Sequence, residues 1–128
     1  MKENKRYIEN AKEILRKSKI EESYYKGEKY VKTAFGCLYL GILKAIGDFL
    51  LYKGIPKKKL PKKIDEYIKN LKRFVGPYNG KLINEFKILY DQVHIAGYYR
   101  GLLKSVKVVN EVFKESEKFI EKLYRLIK

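Results

Sequence analysis

Residues 24–53 read YYKGEKYVKTAFGCLYLGILKAIGDFLLYK, a stretch with the longest uncharged run of the chain and no proline. Val31, Ala34, Leu38, Gly41, Ala45, Phe49 and Tyr52 follow one another at steps of three and four, which places them on one face of a helix. Tyr30, Cys37, Ile42, Ile46 and Leu50 widen the apolar region beyond one stripe. A helix apolar around most of its girth belongs in the middle of a bundle, with partners on several sides. Gly27, Ala34 and Gly41 recur every seven residues, and small side chains in a row let another helix come close. A glycine inside a helix costs up to about 1 kcal/mol against alanine, so Gly36, Gly41 and Gly47 predict tight packing that offsets it. Plain sequence tolerance is the blander explanation.

A membrane span needs about 20 mostly apolar residues. The uncharged run covers only residues 33–43, after which Lys44 and Asp48 interrupt it, so the expectation is a buried core helix. Lys44 and Asp48 are four apart and suited to pairing along the helix surface.

Working outward, a first helix is predicted over residues 3–17, with Tyr7, Ile8, Ala11, Ile14 and Leu15 on a narrow apolar face. Ser23 is placed to cap the central helix, and Gly54 follows its expected end near Lys53. GIPKKKLPKK (residues 54–63) carries two prolines and five lysines and reads as an exposed loop. Pro61 suits the opening of a third helix, marked by Ile64, Tyr67, Ile68, Leu71, Phe74 and Val75 and ended by Gly76-Pro77. Tyr78, Asn79 and Gly80 complete that turn, and Asn79 is a candidate cap for a fourth helix carrying Leu82, Ile83, Phe86, Leu89, Tyr90, Val93 and Ala96. Gly101 suits its C-cap, and Ser105 the start of a fifth helix running to the end of the chain. No segment alternates with period two, so no strands are predicted. The expected fold is all-α: one domain over residues 1–128, an antiparallel bundle of about five helices around the long second one.

At 128 residues the chain can bury roughly two thirds of the surface its unfolded form exposes, without needing disulfides. Cys37, the single cysteine, excludes an internal disulfide and a multi-thiolate metal site, and its apolar neighbours make it a small buried hydrophobe. The opening MKENKRYIEN has no apolar signal core, so a cytoplasmic protein is expected. The net charge is +15, and residues 53–73 alone hold nine basic groups against Asp65 and Glu66. Lys57, Lys58, Lys59, Lys62 and Lys63 are therefore the candidate residues for nucleic acid or another polyanion. Abundant lysine and tyrosine without tryptophan also fit A/T-rich codon usage, which needs no ligand.

His94 is the only histidine. That excludes a di-metal carboxylate bundle, which needs two carboxylate-x-x-His units where Asp91 and His94 supply one. Nothing marks Ser105 or Ser116 as a triad nucleophile, and no metal or cofactor is expected. The candidate chemical residues are Asp91, His94, Tyr98 and Arg100, within ten residues of one another. On a regular helix His94, Asp91 and Tyr98 share a face. An imidazole held by a carboxylate, with a phenol and a guanidinium nearby, binds anions or supports acid–base work. A self-satisfied polar cluster is the plainer reading. Asp48 falls beside the apolar face and needs a partner, for which Lys44 and His94 are the candidates. Tyr24, Tyr25, Tyr30, Tyr39, Tyr98 and Tyr99 could stack bases, but tyrosines at helical spacing more often line a core edge.

Tyr24-Tyr25, Lys29-Tyr30-Val31-Lys32, Ala34, Tyr39, Gly41, Ala45 and Asp48, with RYIENAKEIL at residues 6–15 and ILYDQVHIAGYY at residues 88–99, resemble a bacterial family of small helical proteins of unknown function. That resemblance implies a fold and no activity. More remotely, the layout is similar to HEPN-type bundles, which include RNA-cleaving toxins. Their catalytic pattern sets an arginine a few residues before a histidine, and here those positions hold Lys87, Ile88 and Leu89, while Arg100 follows His94. No catalytic residue carries over. The leading expectation is a non-enzymatic module acting through protein contacts, with a second copy or another protein. The alternative is a HEPN-like RNA-binding or RNA-processing protein using its basic surface.

Overall fold

The computed structural model describes residues 2–77 and 79–127; the expected turn residue Tyr78 lies outside them. Its five α-helices are α1 (Lys2–Arg16), α2 (Glu28–Tyr52), α3 (Ile64–Phe74), α4 (Gly80–Leu89) and α5 (Val106–Arg125). α4 runs straight into a π-helical segment, Tyr90–Tyr99. The protein is an all-α bundle, as the periodicity predicts.

α2 is the core of that bundle. It packs against α1, the π segment and α5, while α3 lies on α4. Ten of its residues are buried: Val31, Ala34, Phe35, Leu38, Gly41, Ile42, Ala45, Ile46, Phe49 and Leu50. By length and apolarity α2 would also suffice to cross a membrane; in this fold neighbouring helices bury 50% of its most apolar window. Two details depart from the expected face. Tyr52 is exposed at the helix end, and Phe35, outside the predicted stripe, is fully buried with its ring edge-on to Phe113 at 5.6 Å. At Gly41 the small-residue row does bring a helix close, since a Cβ there would stand 3.2 Å from Tyr7 Cβ of α1.

Several boundaries differ from the sequence reading. Ser23 does not cap α2. Residues 20–25 form a small antiparallel hairpin, Ile20–Glu21 (β1) against Tyr24–Tyr25 (β2), although no strands were predicted. Glu22 and Ser23 turn it with φ of 52° and 70°. Positive φ at both central residues matches the twist of a two-residue hairpin, but the sequence signal for it is normally Asn-Gly. The hairpin is held from outside: Tyr25 N–H donates to Lys104 O at 2.8 Å, and Val106 N–H to Ser23 O at 3.0 Å. The N-cap of α2 is Gly27, whose N–H donates to Ser18 Oγ at 2.8 Å.

Pro61 does not open α3 either. It is buried, and α3 starts three residues later, where Glu66 reaches back to accept from the N–H groups of Lys62 and Lys63 at 2.9 and 3.1 Å. Asn79 stands at the N-cap of α4 but contributes no side-chain bond. Ser105 does cap α5, accepting from Val108 N–H. Gly54 and Gly101 take the left-handed conformations expected after helix ends.

Candidate functional site

The basic loop folds around one 3-10 turn, Lys57–Lys59, flanked by the extended residues Pro56 and Leu60. Lys57, Lys58, Lys59, Lys62 and Lys63 are all exposed. None makes an ion pair among the described residues. The loop follows the C-terminal end of α2.

Asp48 lies on α2, facing α1 and α5. Tyr124 of α5 donates its hydroxyl to Asp48 Oδ2 at 2.8 Å. Lys44 stands 3.3 Å from Oδ1 and 3.2 Å from Glu3 of α1. Hydrogen bonding to Glu3, and then to Asp48, raises the Lys44 ammonium above its ordinary value. Of the two partners the sequence suggested, Lys44 is one and His94 is not. Tyr124 lies 76 residues away in the chain, where no local spacing links it to Asp48.

His94 sits elsewhere, on the π segment. Its ring is stacked with Tyr39 of α2 at 4.4 Å and with Tyr98 at 5.8 Å, and lies 5.4 Å from Tyr90. Tyr39 precedes Asp48 by nine residues, about 13 Å along a helix axis. His94 Nδ1 is buried and bonds to no described residue. Burial holds the imidazole below its ordinary value and pushes the Tyr39 phenol up.

The grouping of Asp91, His94, Tyr98 and Arg100 therefore holds only in part. His94 and Tyr98 meet, while Asp91 and Arg100 are exposed and bond to neither. The backbone explains this. A π-helix bonds i to i+5 and turns more slowly than an α-helix, as in Arg100 N–H donating to Ile95 O at 2.8 Å. Residues four apart then lie over one another, so Tyr90, His94 and Tyr98 form a ladder. Asp91, three before His94, falls off that face.

Beside the ladder opens a cleft of about 620 Å³. Gly36 and Cys37 of α2 form part of its wall, with Ile14 of α1, Leu40, Leu43 and the aromatic groups around it. The Cys37 thiol donates to Tyr7 O at 3.2 Å, and burial raises its pKa. A raised thiol and a depressed imidazole are the reverse of an activated thiolate–imidazolium pair. Thr33 Oγ1 donates to Lys29 O at 2.7 Å. The cleft is thus lined mainly by apolar groups, and Cys37 and His94 do not make an activated pair there. Sequence reasoning missed it, although Thr33, Gly36, Cys37, Leu40 and Leu43 recur at helical spacing as a second, shallower face of α2.

The chain matches, over residues 1–125, a family described as Domain of unknown function (DUF5618). It is also similar to the solved structure of a protein of unknown function from Dyadobacter fermentans, with 32% identity, 98% of this chain and 92% of that chain covered, and a TM-score of 0.79. No match is found among curated proteins. Neither similarity carries an HEPN assignment. With the match spanning nearly the whole helical bundle, the chain belongs to the DUF5618 family.

Proposed function

We propose that the protein is a non-enzymatic binding module that works through protein contacts at the mouth of the His94 cleft. One observation carries this reading. Leu40, Tyr98 and Tyr99, which border the cleft and its outer edge, are 51%, 43% and 72% exposed. Large apolar side chains gathered in the open are a common mark of a docking surface. The partner is a second copy of the chain or another protein. Light scattering across a concentration series tests the first case, and affinity isolation with the native protein and a Leu40→Glu, Tyr99→Glu variant tests both. The reading expects an assembly that the variant loses. A strictly monomeric protein that retains the same associations in the variant sinks it.

A second reading is RNA binding through Lys57, Lys58, Lys59, Lys62 and Lys63, favoured by the exposure of all five and their lack of ion pairs among the described residues. Binding through lysine–phosphate contacts must weaken steeply with salt. A titration against single-stranded RNA at several salt concentrations would show a flat response, or none at low salt, if this reading is wrong.

A further inference from the structure

We propose that the His94 cleft and the hollow beside it form one site for a small amphipathic anion, an apolar ring or chain carrying a single carboxylate or phosphate head. This goes beyond protein docking and does not depend on it.

Two compartments adjoin. The cleft presents Ile14, Gly36, Cys37, Leu40 and Leu43. Its volume of about 620 Å³ lies in the range of small-molecule sites, which are mostly apolar with a few placed polar groups. A second hollow, of about 450 Å³, is lined by Lys29, Lys32, Thr33, Tyr98 and Tyr99. Thr33 and Tyr98 line both, so the apolar space leads into the cationic one.

Lys29 and Lys32 lie three apart on α2, and neither makes an ion pair among the described residues. The Lys29 ammonium stands over the Tyr30 ring at 5.0 Å. Glu28 is the acidic neighbour: its carboxylate and the Lys32 stem both flank Gly101, yet Glu28 and Lys32 form no ion pair. Two cations at one end of an apolar cleft match an anion with an apolar body. From Lys32 to Leu43 is about 16 Å of helix, the reach of a medium-length chain.

Among the described residues no acidic or basic side chain besides the His94 imidazole lines the cleft itself. Thr33 and Cys37 donate to backbone carbonyls, and burial disfavours the charged form of His94. A nucleobase is a poorer fit. The His94 ring already stacks with Tyr39 and Tyr98, so the ladder fills its own faces.

The test is calorimetric titration of the full chain, below micelle-forming concentrations, with dodecanoate, dodecyl phosphate, dodecyltrimethylammonium, acetate and inorganic phosphate. The proposal expects saturable one-to-one binding of one or both amphipathic anions, at least tenfold tighter than the cation or the head groups alone. Preference between the two anions identifies the head. Cys37 serves as an internal reporter: the bound anion should slow its reaction with a thiol reagent over the same concentration range. Lys29→Glu with Lys32→Glu should weaken binding at least tenfold, as should Leu40→Glu, with circular dichroism showing that each variant is folded. Equal binding of the cation, unchanged affinity in the folded lysine variant, or no anion binding overturns the proposal. So does an acidic amphipathic peptide that binds where the small anions do not. Loss of assembly in the Leu40→Glu, Tyr99→Glu protein without anion binding would leave the docking reading standing and remove only this one.

Discussion

The backbone of Gly97 lies directly against the ring of Phe35: a Cβ on Gly97 would stand 2.5 Å from Phe35 Cγ and within 2.8 Å of both neighbouring ring carbons. The arrangement is reciprocal, since a Cβ on the adjacent Gly36 would meet the Tyr98 ring at 2.8 Å. α2 and the π segment thus interlock, each presenting a ring to the other's glycine. Gly97→Ala is expected to destabilise the protein by about 1–3 kcal/mol, the usual penalty of overpacking. A helix-propensity gain of about 1 kcal/mol at most does not reverse that sign. Phe35 is fully buried against Phe113 and has nowhere to retreat. Urea unfolding of the two proteins measures the difference, and an unchanged midpoint would show that the contact is slack.

Gly47 provides the opposite case. A Cβ there would meet nothing within 4 Å, and the residue lies inside α2. Gly47→Ala should therefore stabilise the protein by up to about 1 kcal/mol, from propensity alone. The same urea titration reads it, as a rise in midpoint at constant slope.

Tyr124→Phe removes the hydroxyl that donates to Asp48 across the α2–α5 interface. Asp48 keeps Lys44, so the carboxylate is not stranded. The expected loss is about 1.5 kcal/mol, the lower end for a hydrogen bond to a charged group, because the pair is only part-buried. Absorbance titration supplies a second readout. Burial, then the Asp48 bond, holds the Tyr124 phenol above its ordinary range, as burial does Tyr39, so the late-titrating tyrosines of the native protein should fall by one in the variant.

His94 makes stability depend on pH. Burial depresses its pKa, so the unfolded chain takes up the proton more readily than the folded one. The His94 contribution is then fully present above the unfolded value, about 6.5, and is lost as pH falls through it toward the folded value. His94→Phe keeps a flat ring in the ladder and removes the proton. The stability difference between the two proteins should be constant above neutral pH and shift in favour of the variant on acidification. Thermal unfolding between pH 5 and pH 8, about the range in which an imidazole titrates, measures it. A parallel shift of both proteins would show that His94 titrates freely.

The helices were legible because their evidence is local. Apolar spacing in residues 31–50 marks the burial of α2, and Ser105, Gly54 and Gly101 mark their ends by their own backbone and side-chain chemistry. The hairpin was not legible, because Glu22 and Ser23 hold positive φ without the usual turn residues and depend on bonds to and from Lys104 and Val106. Asp91 was grouped with His94 on the assumption of α-helical spacing, and the π segment changed that spacing.

By itself the sequence determined an all-α bundle, the central place of α2, the exposed basic loop and the small residues that let helices approach. These follow from short-range periodicity, in which each residue speaks for its own turn. The tertiary structure alone decided that Asp48 answers Tyr124 and that His94 answers Tyr39. It also set the backbone of residues 90–99, where Gly97 against Phe35 and Tyr98 against Gly36 accompany a π-helical path. Such pairings join residues far apart in the chain, and no local preference specifies which buried group meets which.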